Sequence, residues 1–551
     1  AHHEVLASSA SITALTSPSS PGLKPKFIEQ VNRFTARASL DRWAINLQLD
    51  QVAFVGLPYS VDGEVVRRPP PLILPCGVED CGVNPIGEPN AQVHANPEKI
   101  GLTFEGDKVS WVVGDFYAAF GYGAALNLNR NVDIDIDTSI QGARVVYRPG
   151  EWQFTGLAGT LNRQQVYADN PNIRFLEGDL RHLIFGARAE RFNLGRANVG
   201  IHAVGYDFVD AQNYGFQGAV DQIGSRLDAA VAGGTLDLFN VGGVDFQFEA
   251  DMVGFPGDAD GNNVLFIGTE PQMGHALYGS ASFFTGDAIW VIDAKRYFNT
   301  NRVNQPTAGE QYQSIIPPTL EYERAINFNT AAAITSNDIF GGRIQVDLAL
   351  GRVTPYFSIA GFRDADVVAN AAQKSPVPEN IGVVRTGVEA LWDDYTLLAN
   401  AQGRIEVRDD NQGIEAQAYA DIDFKFPLPG KAHGDLIVFG QRFVAGPEKA
   451  EFVGVNDGNW TEVSVSLTVA PSHWGGVTGY FDYTTNPFAQ RGGNLFDEFT
   501  FGAVEVYWKP SAAWTLKAFH GGYAAGIRCS GGQCRNVPAF TGSRVAIQGS
   551  F

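Results

Sequence analysis

The chain has 551 residues, a formal net charge of −20 and an ordinary hydrophobic content of 44%. The acidic balance argues against a nucleic-acid partner, because such proteins present basic faces to phosphate. The sequence contains no run of about 18 apolar residues, which excludes a membrane-spanning helix. After residue 36 no Ser/Gly-rich or Pro-rich linker divides the chain, which favours one large closed sheet over several domains.

The first 36 residues are a polar, Ser/Pro-rich stretch that begins at Ala1 without a methionine. Such a start is typical of a chain from which an export signal peptide has been removed. We therefore expect residues 1–36 to be a periplasmic or lumen-inserted segment. Residues 37–551 are expected to form a single membrane domain.

Two loops carry cysteine pairs of identical spacing, Cys76-x4-Cys81 and Cys529-x4-Cys534. Both loops are rich in Gly or Pro, and neither has a nearby Cys or His that would complete a zinc set. Local disulfides are the leading interpretation; pairing between the two loops, bound metal and free thiols are the alternatives. A disulfide would place both loops in an oxidising compartment.

Between residues 37 and 551 the chain alternates tight turns with long loops. Ten segments carry the Gly, Pro, Asn or Asp that tight turns require: 106–107, 149–150, 193–195, 241–243, 286–287, 351–352, 393–394, 427–431, 471–472 and 510–512. With a first strand near 37–56 and a last strand at 541–551, these turns predict about 22 strands, within a range of about 18–24. The even number places both termini at the end of the short turns.

The stretch 414–426 shows what these strands are. Ile414, Ala416, Ile422 and Phe424 alternate with polar residues such as Glu415 without a break. The stretch is longer than the roughly 9–11 residues that a tilted strand needs to cross the hydrocarbon layer of a membrane. Six of the nine tryptophans also lie within a few residues of a predicted tight turn, as expected at a membrane interface. The pattern predicts an all-β, transmembrane, antiparallel up-and-down β-barrel with short periplasmic turns and long extracellular loops.

The C-terminal stretch, Arg544-Val-Ala546-Ile-Gln-Gly549-Ser-Phe551, resembles the last strand of Gram-negative outer-membrane barrels, which ends in an aromatic residue. Ala546 and Gly549 depart from that pattern. The resemblance implies a location in the outer membrane, contact with its lipid, and recognition of Phe551 by the barrel-assembly machinery. A second stretch, Val113 to Tyr117 with Phe120-Gly121-Tyr122-Gly123 and Gly142-Ala143-Arg144, resembles uncharacterised outer-membrane barrels and implies no activity.

Charged residues alternate along several predicted strands, where they face the lumen. Asp133, Asp135 and Asp137 share one face, with Arg144 and Arg148 close in sequence, and similar mixtures occur at Arg385 with Glu389 and at Arg404 with Glu406. One interpretation is a charged constriction that selects permeating solutes. The alternative is a ladder of salt bridges that stiffens the wall.

One loop has partial calcium-site spacing, and no stretch has an enzyme motif. Asp258, Asp260 and Asn262 match the first ligands of a calcium loop, but the next Gly is missing, so a solvated turn is the alternative. The sequence has no nucleophile elbow, zinc-protease helix or Walker loop. Its nine histidines are scattered, with His182, His202 and His433 inside strand patterns. We therefore expect no enzymatic activity, and no cofactor beyond a possible Ca²⁺ in that loop.

A barrel of this size would leak without a filling, since natural barrels near 22 strands are usually plugged. We expect the lumen to be narrowed by the loops near 57–97, 257–273 and 300–338, by the N-terminal segment, or by another protein. Two functions fit: a channel or conduit for solute passage or export, and a structural component that anchors a multiprotein complex in the outer membrane.

Overall fold

The structure is a computed structural model. It describes residues 8–16, 26–56, 60–61, 64–65, 90–131, 136–164, 182–207, 229–255, 272–300, 303, 315, 318, 338–364, 379–392, 395–408, 414–444, 459–472, 474–485, 500–523, 526–530, 533–537 and 540–549. Within these residues, no helix has the length and hydrophobicity needed to span a bilayer.

The described residues form 24 long strands, numbered here in chain order: β1 Ser8–Thr16, β2 Lys26–Leu40, β3 Trp43–Gly56, β4 Asn90–Glu105, β5 Val109–Phe116, β6 Ile136–Tyr147, β7 Trp152–Gln164, β8 Leu183–Leu194, β9 Ala197–Asp207, β10 Ala229–Val241, β11 Val244–Phe255, β12 Gln272–Thr285, β13 Ala288–Phe298, β14 Asp338–Leu348, β15 Val353–Asp364, β16 Glu379–Leu391, β17 Thr396–Arg408, β18 Ile414–Leu428, β19 Ala432–Val444, β20 Trp460–Ser472, β21 Gly475–Thr484, β22 Thr500–Ser511, β23 Trp514–Tyr523 and β24 Phe540–Gly549. The remaining strands are short: Ser60–Val61, Glu64–Val65, Ala118–Phe120, Leu126–Leu128, Arg130–Asn131, Gly526–Ser530 and Gln533–Val537.

Each long strand pairs antiparallel with the next one along the chain, and the sheet closes on itself. Closure is made by β1 and β24, whose pairing runs from Ser8 opposite Gly549 to Leu15 opposite Gly542. Closure leaves no free sheet edge, which is the condition for a sheet to cross a membrane. The predicted fold class is confirmed, and the strand number lies at the top of the predicted range.

Nine of the ten predicted tight turns connect neighbouring strands among the described residues. The tenth, at 393–394, lies outside them, between the paired residues Leu391 and Thr396. An eleventh, between Leu40 and Trp43, was not predicted, because residues 37–56 were assigned to a single strand. Asp41 takes the left-handed conformation there, with a φ of 52°. Asp is one of the few residues other than Gly that tolerates this region. Both β1 and β24 have their terminal ends on the side of these turns.

The sheet begins earlier than we expected. Residues 8–16 and 26–36, assigned from the sequence to a segment outside the barrel, belong to β1 and β2 in the wall. Their Ser- and Thr-rich composition imitates a loop, yet Ala10, Ile12 and Ala14 alternate with Ser9, Ser11 and Thr13. Small alternating residues carry the period of a strand but little of its hydrophobic signal.

The two faces of the wall differ as a membrane barrel requires. On β11, Phe248 and Met252 are exposed, whereas Glu249, Asp251 and Val253, which alternate with the exposed residues, are buried. Large apolar residues remain exposed around the outer face, an arrangement that lipid contact explains. Exposed tryptophans gather at the tight turns, namely Trp43, Trp152, Trp392, Trp474, Trp508 and Trp514, as in the aromatic girdles of membrane barrels.

Candidate functional site

The pairing of β5 with β4 ends at a glycine, Gly114, that no other residue could replace without a shift. Gly114 has a φ of 107°, and a Cβ there would lie 1.8 Å from the carbonyl oxygen of Ile100. Beyond it, Asp115 Oδ2 accepts the backbone N–H of Ile100 at 2.9 Å. Asp115 Oδ1 accepts bonds from Asn162 Nδ2 at 2.6 Å and from Ser139 Oγ at 3.1 Å. The carboxylate thus takes over hydrogen bonds where the main-chain ladder ends.

Residues 117–131, which we name the inner hairpin, fold into the lumen. The short strands Ala118–Phe120 and Leu126–Leu128 pair with each other. Phe120, Leu126 and Leu128 are at most 2% exposed and share an apolar core with inward residues of seven wall strands. Those wall residues are Val112, Phe116, Ile140, Leu157, Leu161, Ile184, Val204, Tyr206, Ala229, Val231, Val253 and Phe255.

The base of the inner hairpin is held by a buried ion pair. Lys99 Nζ lies 2.5 Å from Asp137 Oδ1, and the Tyr117 hydroxyl donates to the same oxygen at 2.5 Å. Arg144 Nη1 donates to the Tyr117 carbonyl oxygen at 2.8 Å. Burial, together with the charge of Asp137, raises the pKa of Tyr117, so its hydroxyl stays protonated and can donate.

The tip of the inner hairpin docks on β9, β10 and β11. The Tyr122 backbone N–H donates to Glu249 Oε2 at 3.0 Å, and the Tyr122 hydroxyl donates to Asp237. The Tyr206 hydroxyl donates to the carbonyl oxygen of Ala125 at 2.5 Å. The pKa of Tyr122 is raised by burial first and by Asp237 second, which keeps this donor protonated.

A polar cluster lies beneath this tip. His202 on β9 and Asp251 on β11 both face Gly233 on the strand between them, and His202 Nε2 lies 2.6 Å from Asp251 Oδ1. A Cβ on Gly233 would lie 2.0 Å from Asp251 Oδ1, and one on Gly121 would lie 1.6 Å from Glu249 Oε1. Ligand atoms of His202, Glu249 and Asp251 fall within 4.8 Å of one another. Two glycines therefore make the space in which one imidazole and two carboxylates meet.

Three described residues between β13 and β14, Val303, Ile315 and Pro318, also lie against the inner face of the wall. Val303 and Ile315 are at most 1% exposed and belong to the same apolar core. The carbonyl oxygen of Pro318 accepts bonds from Lys295 Nζ at 2.7 Å and from the Tyr297 hydroxyl at 2.8 Å. We call the inner face of β5–β16, with these three residues and the inner hairpin, the filled side.

The inner face of β18–β24, which we call the polar side, is lined differently. Its midsection carries half-buried charged and polar side chains, including Asp421, Asp423, Asp435, Glu462 and Asp482. Ile437 lies on this inward face, because it is the strand partner of Asp423. It is 43% exposed although it is apolar. Near the long connections Phe443 is buried and stacks on Trp460, with 5.1 Å between the ring centroids.

Three of the predicted selectivity residues are held in contacts that serve the wall. Asp137 pairs with Lys99, as described above. Arg144 binds the Tyr117 carbonyl oxygen, and Arg148 donates to Gln153 at 3.0 Å and to Ser110 at 3.1 Å.

The other described candidates lie on β16 and β17. Arg404 and Glu406 form a buried ion pair on the inner face of one strand. Arg385 lies over the ring of Tyr356 at 5.5 Å, and Glu389 is exposed nearer the tight-turn end. The structure therefore brings Arg404 and Glu406 together, but it does not join them to Asp137, Arg144 or Arg148.

The remaining candidates fall outside the described residues: Asp133, Asp135, Asp258, Asp260, Asn262, Cys76, Cys81 and Phe551. For the second cysteine pair, the backbone register of a short hairpin sets Cys529 directly opposite Cys534. The local disulfide stays a prediction, and so does the calcium loop.

Sequence reasoning did not find the cluster beneath the inner hairpin. His202, Glu249 and Asp251 each fit an ordinary inward position of a strand, and Glu249 is 127 residues away from Tyr122. The available signal was the glycine-rich stretch at 120–123, which suggested only a resemblance to uncharacterised barrels. Its glycines turn out to mark the close approach of the hairpin to the wall.

No family model and no curated protein matches the chain. The chain is similar only in its three-dimensional structure to solved proteins. The translocation pore of the P pilus usher PapC is similar with 8% identity and a TM-score of 0.43, over 99% of each chain. In an E. coli P pilus tip assembly intermediate, PapC-PapD-PapK-PapG, the likeness is 9% identity and a TM-score of 0.48, over all of this chain and 61% of the other. Pseudomonas aeruginosa OccK9 (OpdG) is similar with 15% identity and a TM-score of 0.38, over 73% of this chain and 93% of that one. These values carry no inference about function.

Proposed function

We propose that the protein is a transport barrel of the outer membrane. The inner hairpin closes the filled side, and small hydrated solutes pass along the polar side. A 24-stranded barrel is wider than the 16–18-stranded porins that already hold an aqueous channel, so part of its lumen must be filled to prevent leakage. The inner hairpin occupies one side only.

The unequal exposure of two inward apolar residues carries this proposal. Val253, on the filled side, is fully buried, whereas Ile437, on the polar side, keeps 43% of its surface exposed. Both residues point toward the lumen, since each lies among polar neighbours that alternate with lipid-facing residues. The difference is explained by water-filled space beside Ile437.

Acidic and basic residues predominate on different parts of this inner wall, although Lys425 on β18 pairs with Asp423 at 3.6 Å and Glu505 on β22 lies 4.0 Å from Arg544. Strands β18 to β21 present the acidic residues Asp421, Asp423, Asp435, Glu462 and Asp482, which we call the acidic strip. Basic residues Lys509, Lys517, Arg544 and Arg37 face the lumen from β22 to β24 and β2, and we call them the basic strip. Charged rows along a pore attract ions of the opposite sign and so set its preference.

The test is conductance and ion preference in planar bilayers under a salt gradient. Asp423→Asn combined with Asp435→Asn should move the reversal potential toward anions, and Lys517→Gln combined with Arg37→Gln should move it toward cations. Asp107→Asn serves as the control, because Asp107 lies at a tight turn with 83% of its side chain exposed and should leave the potential unchanged.

Steady currents with a reversal potential that neither pair of substitutions changes would contradict the proposed path along the polar side. Silence from a properly folded barrel would contradict transport itself and favour the second function, an anchor for a multiprotein complex whose partner caps the lumen. Co-purification of a stoichiometric partner would then be the observation to seek.

A further inference from the structure

We propose that His202, Glu249 and Asp251 bind one divalent transition-metal ion, with Zn²⁺ as the first candidate, beneath the tip of the inner hairpin. The site is independent of the transport function. The bound ion would stabilise the docking of the inner hairpin against the wall.

Burial without neutralisation is the first argument. His202, Glu249 and Asp251 are 5%, 2% and 1% exposed, with Val204, Val253 and the ring of Phe120 nearby. Arg188 lies opposite His202 in the strand register. Two carboxylates side by side in such a place are costly unless a cation or a proton compensates them. The nearest guanidinium, that of Arg188, already binds Glu190 at 2.8 Å.

Unused ligand atoms are the second argument. Among the described residues, His202 Nδ1, Glu249 Oε1 and Asp251 Oδ2 have no hydrogen-bond partner, although each is shielded from solvent. Buried polar atoms in proteins are almost always satisfied, so three orphans within one cluster indicate something that binds there. One ligand atom from each of the three residues lies within 4.8 Å of the other two, close enough to converge on a single ion after a small adjustment.

The donor set decides the class of ion. Imidazole with two carboxylates suits Zn²⁺ and its transition-metal neighbours, whereas Ca²⁺ and Mg²⁺ prefer oxygen ligands alone. Three protein ligands leave one position of a tetrahedral zinc site for water. The geometry of the chain supports the same conclusion, because Gly233 and Gly121 keep the space between the three side chains free of carbon atoms.

The experiment measures metal in the purified, folded barrel after equilibration with Zn²⁺ and removal of unbound ion. We expect one equivalent per chain by elemental analysis. His202→Asn and Glu249→Gln should each reduce this to background. Glu190→Gln is the matched control, since it removes a nearby inward carboxylate that already has a partner, and it should keep the metal.

Two further measurements keep the test decisive if a variant fails to fold. Co²⁺ added to the unaltered protein should give the visible absorption of a tetrahedral site, and Zn²⁺ should displace it. Chelation should lower the melting temperature of the unaltered barrel but not that of a folded His202→Asn barrel. Absence of stoichiometric Zn²⁺, Co²⁺ absorption and any chelator effect would overturn the site and leave a shared proton as the compensation.

Discussion

The filled side and the polar side of the lumen belong to the same wall. Both have the same alternating strand pattern and apolar residues facing the lipid, yet their inner faces differ. On the filled side, many inward positions are apolar or hold buried charged groups, where the inner hairpin excludes water. On the polar side, inward positions are carboxylates, amides and hydroxyls that keep part of their surface exposed. Identical backbone geometry thus supports a protein-like core and a wet surface within one barrel, and the lumen-side sequence decides between them.

The largest expected effect comes from breaking the buried ion pair at the base of the inner hairpin. Lys99→Met leaves Asp137 charged and 5% exposed, so the free energy of unfolding should fall by about 3–5 kcal/mol. Denaturant titration of the refolded barrel measures it. Arg42→Met, which breaks an exposed pair with Asp107, should cost no more than about 1 kcal/mol. Equal losses would show that the hairpin base is not buried.

A smaller loss is expected at the tip. Gly121→Ala places a Cβ against Glu249 Oε1 in a left-handed backbone, so strain and the displaced Tyr122 hydrogen bond should together cost about 3 kcal/mol. Gly150→Ala is the control, because Gly150 has nearly the same φ, 68° against 65°, with nothing within 4 Å of the added carbon. It should cost about 1 kcal/mol.

The same pair of variants also reports on the lumen. A displaced hairpin should raise the conductance of Gly121→Ala, whereas Gly150→Ala should conduct as the unaltered protein does. Matching stability and conductance in the two variants would mean that Gly121 does not sit against Glu249.

The smallest effect compares the two sides directly. Val253→Ala removes buried methyl groups from the filled side and should cost about 2 kcal/mol. Ile437→Ala, on the polar side, should change the free energy of unfolding by less than about 0.5 kcal/mol. A loss at Ile437 as large as that at Val253 would mean that the polar side is packed, and it would remove the observation on which the transport path depends.

The fold was predictable because strand period and turn chemistry are local properties. Ten turns were predicted from their Gly, Pro, Asn or Asp. The eleventh, at Asp41, was missed because it was included in the first predicted strand, and β1 was missed because its small residues give little hydrophobic signal. The site was not predictable, because its parts meet through strand register. His202 reaches Asp251 across Gly233, an alignment fixed by the stagger of three strands, and no local pattern encodes it.

The joint between β4 and β5 is the shortest pairing between neighbouring long strands of the described wall. In the described residues, β4 pairs with β5 only from Gly101 to Glu105, and farther from the tight turns the joint is bridged by side chains, among them Asn162 reaching the Glu98 carbonyl oxygen at 2.9 Å. A cylinder under tension parts along its weakest longitudinal joint. We therefore expect lateral stress from the bilayer to act most strongly on the joint between β4 and β5. A sideways opening of the wall under force or a change of lipid thickness should begin at this joint.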